Sequence, residues 1–308
     1  LGVDLAIVAR RYVRVVDFNM FFDANPITKT LAKEPEPFRM TCPFPGSPFE
    51  PWRRFMFRWH RVDLLEPENL ATEPPRVQDF YRAGESVPVR FWQLTNTRYV
   101  LGPADRLAGL LGQPGFEKVL SADLDPRGRV IANPLGNGRI ALVRFAAALP
   151  RALVYHQWES VSDGEWPARL ASPEWNPALS VGVAGDMAPS SSRRPPTRVT
   201  SIVHRPQKVA LRVNLPEPGI LLLNDLYDPA WSVFVDGARA ELLRCNLVMR
   251  GVGVPAGEHR VVFVYRPFLV PFLISAGALG ALLIWAVVRR RAGPGTPVSD
   301  SRGGPPSI

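Results

Sequence analysis

From Pro267 to Val288 the chain reads PFLVPFLISAGALGALLIWAVV, without one charged residue. As a helix rising about 1.5 Å per residue, this stretch spans roughly 30 Å, the thickness of a bilayer's hydrocarbon core. Ser275, Gly277, Ala278 and Gly280 supply the small residues found where membrane helices pack. A helix buried in a soluble domain is the competing reading, and a transmembrane helix over 267–288 is the expectation. Arg289–Arg291 follow at once, and arginines next to a span stay cytoplasmic. Residues 1–266 are therefore expected outside the cytoplasm, with 289–308 as a basic, disordered cytoplasmic tail. The start, LGVDLAIVARRYV, has neither a basic leader nor a cleavage site. The expectation is thus the C-terminal part of a longer polytopic protein at the cell membrane.

The 308 residues suffice for more than one domain, and 46% hydrophobic with 21% charged residues is a globular balance. The 33 prolines favour turns, strand edges and loops over a helical bundle. A net charge of +9 raises the question of nucleic acid. The charge is spread along the chain and carried mostly by arginine, with no recognition helix, RNA-binding signature or zinc spacing, so no nucleic-acid partner is expected. Anionic lipids or envelope polymers suit the same charge.

Residues 1–150 alternate helix and strand signals and are expected to form a mixed α/β region. Asn25-Pro26 is an N-cap with proline at the first helical position, Ile27 and Leu31 share a face, and Pro35 stops the turn. VPVRFWQLTN predicts a short helix feeding a buried strand at Tyr99–Leu101. In WRRFMFRWHRVDLL, Trp52–Leu65, aromatics alternate with basic residues. A membrane-surface or polymer-binding patch is one reading. The period-two spacing of Phe55, Phe57 and Trp59 favours a half-buried strand.

Residues 151–266 carry β signals. Val209, Leu211, Val213 and Leu215 alternate strictly, GILLLND is a short buried run, and Asp236-Gly237 is a two-residue hairpin turn. A second hairpin is expected to turn at Pro255–Gly257. GDMAPSSSRRPPTR, Gly185–Arg198, reads as an exposed loop. The fold class is α+β: a mixed N-terminal region, an antiparallel β-sandwich and one C-terminal transmembrane helix.

Catalytic signatures are scarce. There is no Gly-x-Ser-x-Gly elbow, phosphate loop or zincin helix, and Gly136–Arg139 reads as a hairpin turn. Cys42 and Cys245 are expected as two unpaired thiols, with one long-range disulfide the alternative. His60, His156, His204 and His259 form no ligand pair, so neither a metal nor a cofactor is expected. The substrate-binding candidates are Tyr227, Asp228, Trp231 and Arg244. Trp231 would stack on a sugar ring, with Asp225 and Asp228 bonding its hydroxyls. Against this, Trp231 leads a strand face with Val233 and Val235, and Asp228-Pro229 has turn chemistry. Arg244 and Arg250 would bind phosphate or anionic polymer, or else lie salt-bridged at the surface. His259 is expected to face solvent or cap its turn. Arg151 is the arginine expected at an inter-domain contact.

Leu221–Pro267 resembles the C-terminal extracytoplasmic domain of YfhO-like bacterial membrane proteins. The matching segments run in order: Asp225–Trp231, Val235–Gly237, Arg244–Asn246, Arg250–Val252, Pro255–His259 and Tyr265–Pro267. Arg98–Pro103 and Ala148–Val154 also resemble family segments, so the likeness covers most of 90–288. It departs at Asp228, where the family has an aromatic, and at Ala230, where it has glycine. The resemblance implies a glycosyltransferase of GT-C type that takes a sugar from polyprenyl phosphate and acts on a cell-envelope glycopolymer. In that family the essential acid lies in an early extracytoplasmic loop, which this chain lacks. These residues alone are therefore expected to be inactive. The alternative is a non-catalytic, membrane-anchored module that binds or organises envelope polysaccharide.

Overall fold

A computed structural model describes residues 22–46, 48–67, 70–266 and 270–291, the side chains of 270–273 and 290–291 excepted. Three sheets are present among these residues. The first runs in the order β2 (Asp63–Leu64), β1 (Arg39–Thr41), β3 (Thr97–Pro103), β6 (Ile140–Phe145), β4 (Phe116–Leu124), β5 (Val130–Ala132). The second runs β10 (Ser190–Ser191), β8 (Gln157–Ser160), β9 (Ser180–Val183), β17 (Leu243–Cys245), β18 (Met249–Val254), β14 (Gly219–Leu226), β7 (Ala152–Tyr155), β11 (Thr197–Arg198). The third runs β12 (Ser201–Arg205), β13 (Lys208–Leu215), β19 (Gly257–Tyr265), β15 (Trp231–Val235), β16 (Ala238–Ala240). The chain is α+β and dominated by sheet.

Side-chain parity shows how these sheets stack. On β14, Ile220 and Leu222 join a cluster with the helices Pro75–Glu85 and Pro88–Leu94, while Leu221 and Leu223 join one with β13 and β19. Successive strand residues point to opposite faces, so a strand covered on both faces reads as the unbroken apolar run GILLL. β3 behaves alike: Val100 faces the helices, and Tyr99 and Leu101 face Ile27, Trp52 and Met56 on the far side. The second and third sheets thus pack directly in a β-sandwich-like arrangement, with β13 alternating buried and exposed residues as its spacing predicts.

The described residues up to Val264 form one compact unit, and the cluster around Phe91 and Trp166 includes residues on both sides of position 150. The second unit begins at Tyr265 and contains the helix Val270–Arg291. Among the described residues no helix is long and apolar enough to cross a membrane. The expected span starts in 267–269, outside those residues, as does the tail beyond 291.

The helix Pro26–Leu31 has the expected Asn25 cap, whose Oδ1 accepts the N–H groups of Ile27 and Thr28 at 2.9 and 3.1 Å. The helix Pro88–Leu94 feeds β3 as expected. Four expectations need correction. Trp52–Trp59 is helical, a π-helical turn at Trp52–Met56 continuing into Phe57–Trp59. Phe55 and Trp59 are four apart and share the exposed face, whereas Phe57 is buried on the other, so a helix meets the same pattern. Pro255–Gly257 joins no hairpin, because β18 lies in the second sheet and β19 in the third; the chain changes sheets there, with Gly257 at φ +113°. Gly136–Arg139 likewise lies between β5 and β6, which flank β4 and do not pair with each other. The stretch 185–198 is not all loop, since it contributes β10 and β11 at the two ends of the second sheet. Cys42 and Cys245 are free and buried, one in each of two apolar clusters.

Candidate functional site

The β14 ladder with β18 slips between Leu223 and Leu226, which leaves Asn224 and Asp225 outside regular pairing. A bulge of this kind re-aims side chains. Asn224 turns toward the helix Pro88–Leu94, where its Nδ2 donates to the carbonyl of Leu94. Asp225 enters a buried group of cations, one of which, Arg39, bonds both side chains.

Arg151, just before β7, donates through Nε and Nη2 to Asp225 Oδ1 at 2.7 and 2.6 Å. Arg39, on β1, reaches the same oxygen through Nη2 at 3.2 Å, and its Nη1 donates to Asn224 Oδ1 at 2.5 Å and the carbonyl of Thr95 at 2.8 Å. Arg250, on β18, donates to Asp225 Oδ2 at 2.9 Å, and His204, on β12, meets that oxygen at 3.0 Å. Arg151 also spans to Asp63 Oδ2 on β2 at 2.9 Å. The group therefore joins all three sheets. The inter-domain contact expected of Arg151 is instead internal: it links Asp63 on β2 to Asp225 on β14, within the one unit that ends at Val264.

Arg151, Asp225 and Arg250 are 7%, 8% and 4% exposed, so these charges have lost most of their water. Burial alone would favour the neutral acid at Asp225. The hydrogen bond from His204 and the fields of Arg151, Arg39 and Arg250 outweigh it and hold the carboxyl far below the ordinary range. Arg39 is pushed down to about 10 by burial, then by repulsion from Arg151, against the pull of Asp225. Burial also lowers Arg250, whose Nε has no hydrogen-bond partner. A permanently ionised Asp225 takes the proton-bearing Nε2 of His204 as a donor, which leaves the ring's Nδ1 as its second polar atom.

Trp231 lies over this group: its ring centre is 3.7 Å from the guanidinium carbon of Arg250, in cation–π range. Of the other sequence candidates, Tyr227 is half-buried and its N–H donates to the carbonyl of Val248 at 2.6 Å. Asp228 Oδ1 accepts the Ala230 N–H at 2.7 Å, and its carbonyl accepts the Trp231 N–H at 3.0 Å, so turn chemistry occupies it. The backbone at Ala230 is not left-handed, and alanine sits there without strain. Arg244 is held by Asp163 Oδ1 at 2.6 Å and the carbonyl of Leu247 at 2.9 Å. Arg250 is buried rather than at the surface. His259 closes onto Asp236 Oδ2 at 2.7 Å and the carbonyl of Ala256 at 3.1 Å.

Two hollows flank the cluster. One of about 420 Å³ has Arg39, Asn224 and Asp225 in its wall. The other, about 1000 Å³, is lined by Arg151 and His204. Among the described residues no group of His, Cys, Asp and Glu has a metal-binding arrangement. No protein-family model matches the chain, and no curated protein or solved structure matches it.

Proposed function

We propose that this chain is the extracytoplasmic C-terminal part of a YfhO-like membrane protein and serves it as a binding module, the glycosyl transfer being carried by residues outside this chain. The observation that carries the proposal is Asp225. A catalytic carboxylate must exchange a proton near neutral pH or attack a carbon. Asp225 instead has both oxygens occupied by Arg39, Arg151, Arg250 and His204. It positions cations, and clustered arginines recognise anionic groups. The ligand classes that follow from the resemblance, polyprenyl-phosphate sugar and envelope glycopolymer, meet this chemistry. The anchor in this reading is 267–288, whose described part exposes Ile274, Leu279, Leu283 and Trp285.

The test uses the 308-residue chain in lipid nanodiscs. The reading expects retention of a phosphate-bearing envelope glycopolymer, lost with salt, and no turnover of polyprenyl-phosphate sugar. Turnover by this chain would overturn the non-catalytic assignment, and absence of glycopolymer retention would overturn the binding assignment.

A further inference from the structure

The two faces of the third sheet differ in kind. Val209, Leu211, Val233, Val261 and Phe263 carry its inner face into the core. By alternation, Arg205, Lys208, Arg212, Arg239 and Arg260 then stand on the outer face. All five are exposed, and none has an ion-pair partner among the described residues. Against them, the only carboxylate within the five strands is Glu258. The outer face therefore holds a surplus of positive charge on an open sheet surface.

Strand register gives a second, independent sign. Arg212 lies directly opposite Arg260, and Arg205 directly opposite Lys208. Like charges at opposed positions destabilise a strand pair, a cost that an anionic partner lying across both pairs would offset. Between the two charged pairs the surface is apolar, because Ala210 sits opposite Val203 on one side and Val262 on the other. Val203 is 54% exposed, and Val264 and Phe234 are half-buried on the same face. A polyanion in solution would use the cations alone. Cations interleaved with apolar side chains suit a partner with charged headgroups over an apolar interior. The strand that carries Arg260, Val262 and Val264 is also separated by only residues 266–269 from the apolar helix Val270–Arg291.

We infer that the outer face of the third sheet docks on the surface of a bilayer of anionic phospholipid, with its arginines and Lys208 at the lipid phosphates and Val203 at the headgroup boundary. Each cation gains a phosphate there, and the opposed pairs lose their repulsion. This goes beyond the polymer binding proposed above and shares with it only the anchor over 267–288.

The test places the 308-residue chain in nanodiscs with a nitroxide label on Val203→Cys, since Cys42 and Cys245 are buried from the reagent. A control label on Leu135→Cys, 83% exposed between β5 and β6, reports general adsorption. In discs containing phosphatidylglycerol, the label at 203 is expected to be open to oxygen and shielded from an aqueous nickel chelate. In phosphatidylcholine discs, or at high salt, it should be open to nickel, and the label at 135 should be open to nickel throughout. Arg212→Gln combined with Arg260→Gln is expected to shift docking about thirtyfold toward the free face, at roughly fivefold per cation near an anionic surface. Its unfolding temperature should be unchanged or raised, because the opposed charges are gone. Equal nickel access at 203 in the two lipids, equal shielding at 135, or a double variant that docks as the parent does would each overturn the assignment. Shielding by glycopolymer in phosphatidylcholine discs, with no response to phosphatidylglycerol, would give the face to the polymer and overturn it as well. If the chain does not enter discs, the anchor falls. The face is then read with phosphatidylglycerol vesicles, and failure to co-sediment with them overturns the docking.

Discussion

At the scale of single residues, Asp225 is the pivot, because Arg39, Arg151 and Arg250 depend on one carboxylate. Removing one partner of a buried ion group leaves the others charged and unmatched. Asp225→Asn is therefore expected to destabilise the folded state by about 3–5 kcal/mol at neutral pH, measured by urea unfolding. The sign of the pH effect follows from the lowered folded pKa. The stabilisation is full above the unfolded carboxyl value of about 3.9 and is lost as pH falls below it toward the folded value. The difference between parent and variant should thus shrink below about pH 4. Little of this cluster was legible in the sequence. Asp225, Arg151 and Arg250 stood out singly, but nothing joined them to one another or to Arg39 and His204, which lie on β1 and β12, far away along the chain. Their meeting is set by the bulge at Asn224-Asp225 and by which sheets stack, and no local spacing encodes either.

At the scale of elements, turn chemistry was the most readable signal. Asp236 and Gly237 take φ +51° and +87° between β15 and β16, as a two-residue hairpin requires. Gly237→Ala is expected to cost about 1 kcal/mol in thermal unfolding. Where the fold departs from expectation, a local pattern was compatible with two structures. Phe55, Phe57 and Trp59 fit a strand or a two-faced helix, and the burial of Trp52 and Met56 decides for the helix. At Pro255–Gly257 the turn residues say that the chain reverses, not that its next strand joins another sheet. His259 follows that corner and is held by two acceptors, Asp236 and the carbonyl of Ala256, so only its doubly protonated ring satisfies both. The Asp236 hydrogen bond, then that of Ala256, raises its pKa. Its contribution is complete below the unfolded value of about 6.5 and is lost as pH rises through the higher folded value. A small decline in unfolding temperature over that interval is expected in the parent and absent in His259→Asn.

At the scale of the whole molecule, the parity of β3 and β14 makes adjacent layers share strands, so no layer separates without stripping a sheet face. Cys42 and Cys245 test this, since they sit in different clusters and burial pushes the Cys245 thiol up to about 12 and the Cys42 thiol higher still. Both should react with a thiol reagent only on global opening and at one common rate, followed by mass spectrometry in dilute urea. Earlier labelling of Cys42 alone would show an N-terminal layer that opens by itself. The β-rich class and the sandwich-like packing were visible in the strict alternation of β13 and the continuous run of β14. The shared core was not, because apolar residues of the helices Pro75–Glu85 and Trp166–Ala171 give no sign of which sheet they meet.

The stretch 185–198 places β10 beside β8 at one border of the second sheet and β11 beside β7 at the other. An uncovered border strand offers its backbone to any passing chain and is a route to aggregation. Here one segment guards both borders: each guard is only two residues long, and the prolines at 195 and 196 lack the N–H groups that recruit another strand. Its Ser, Pro and Arg composition, which has no place in a core, is suited to this protective task.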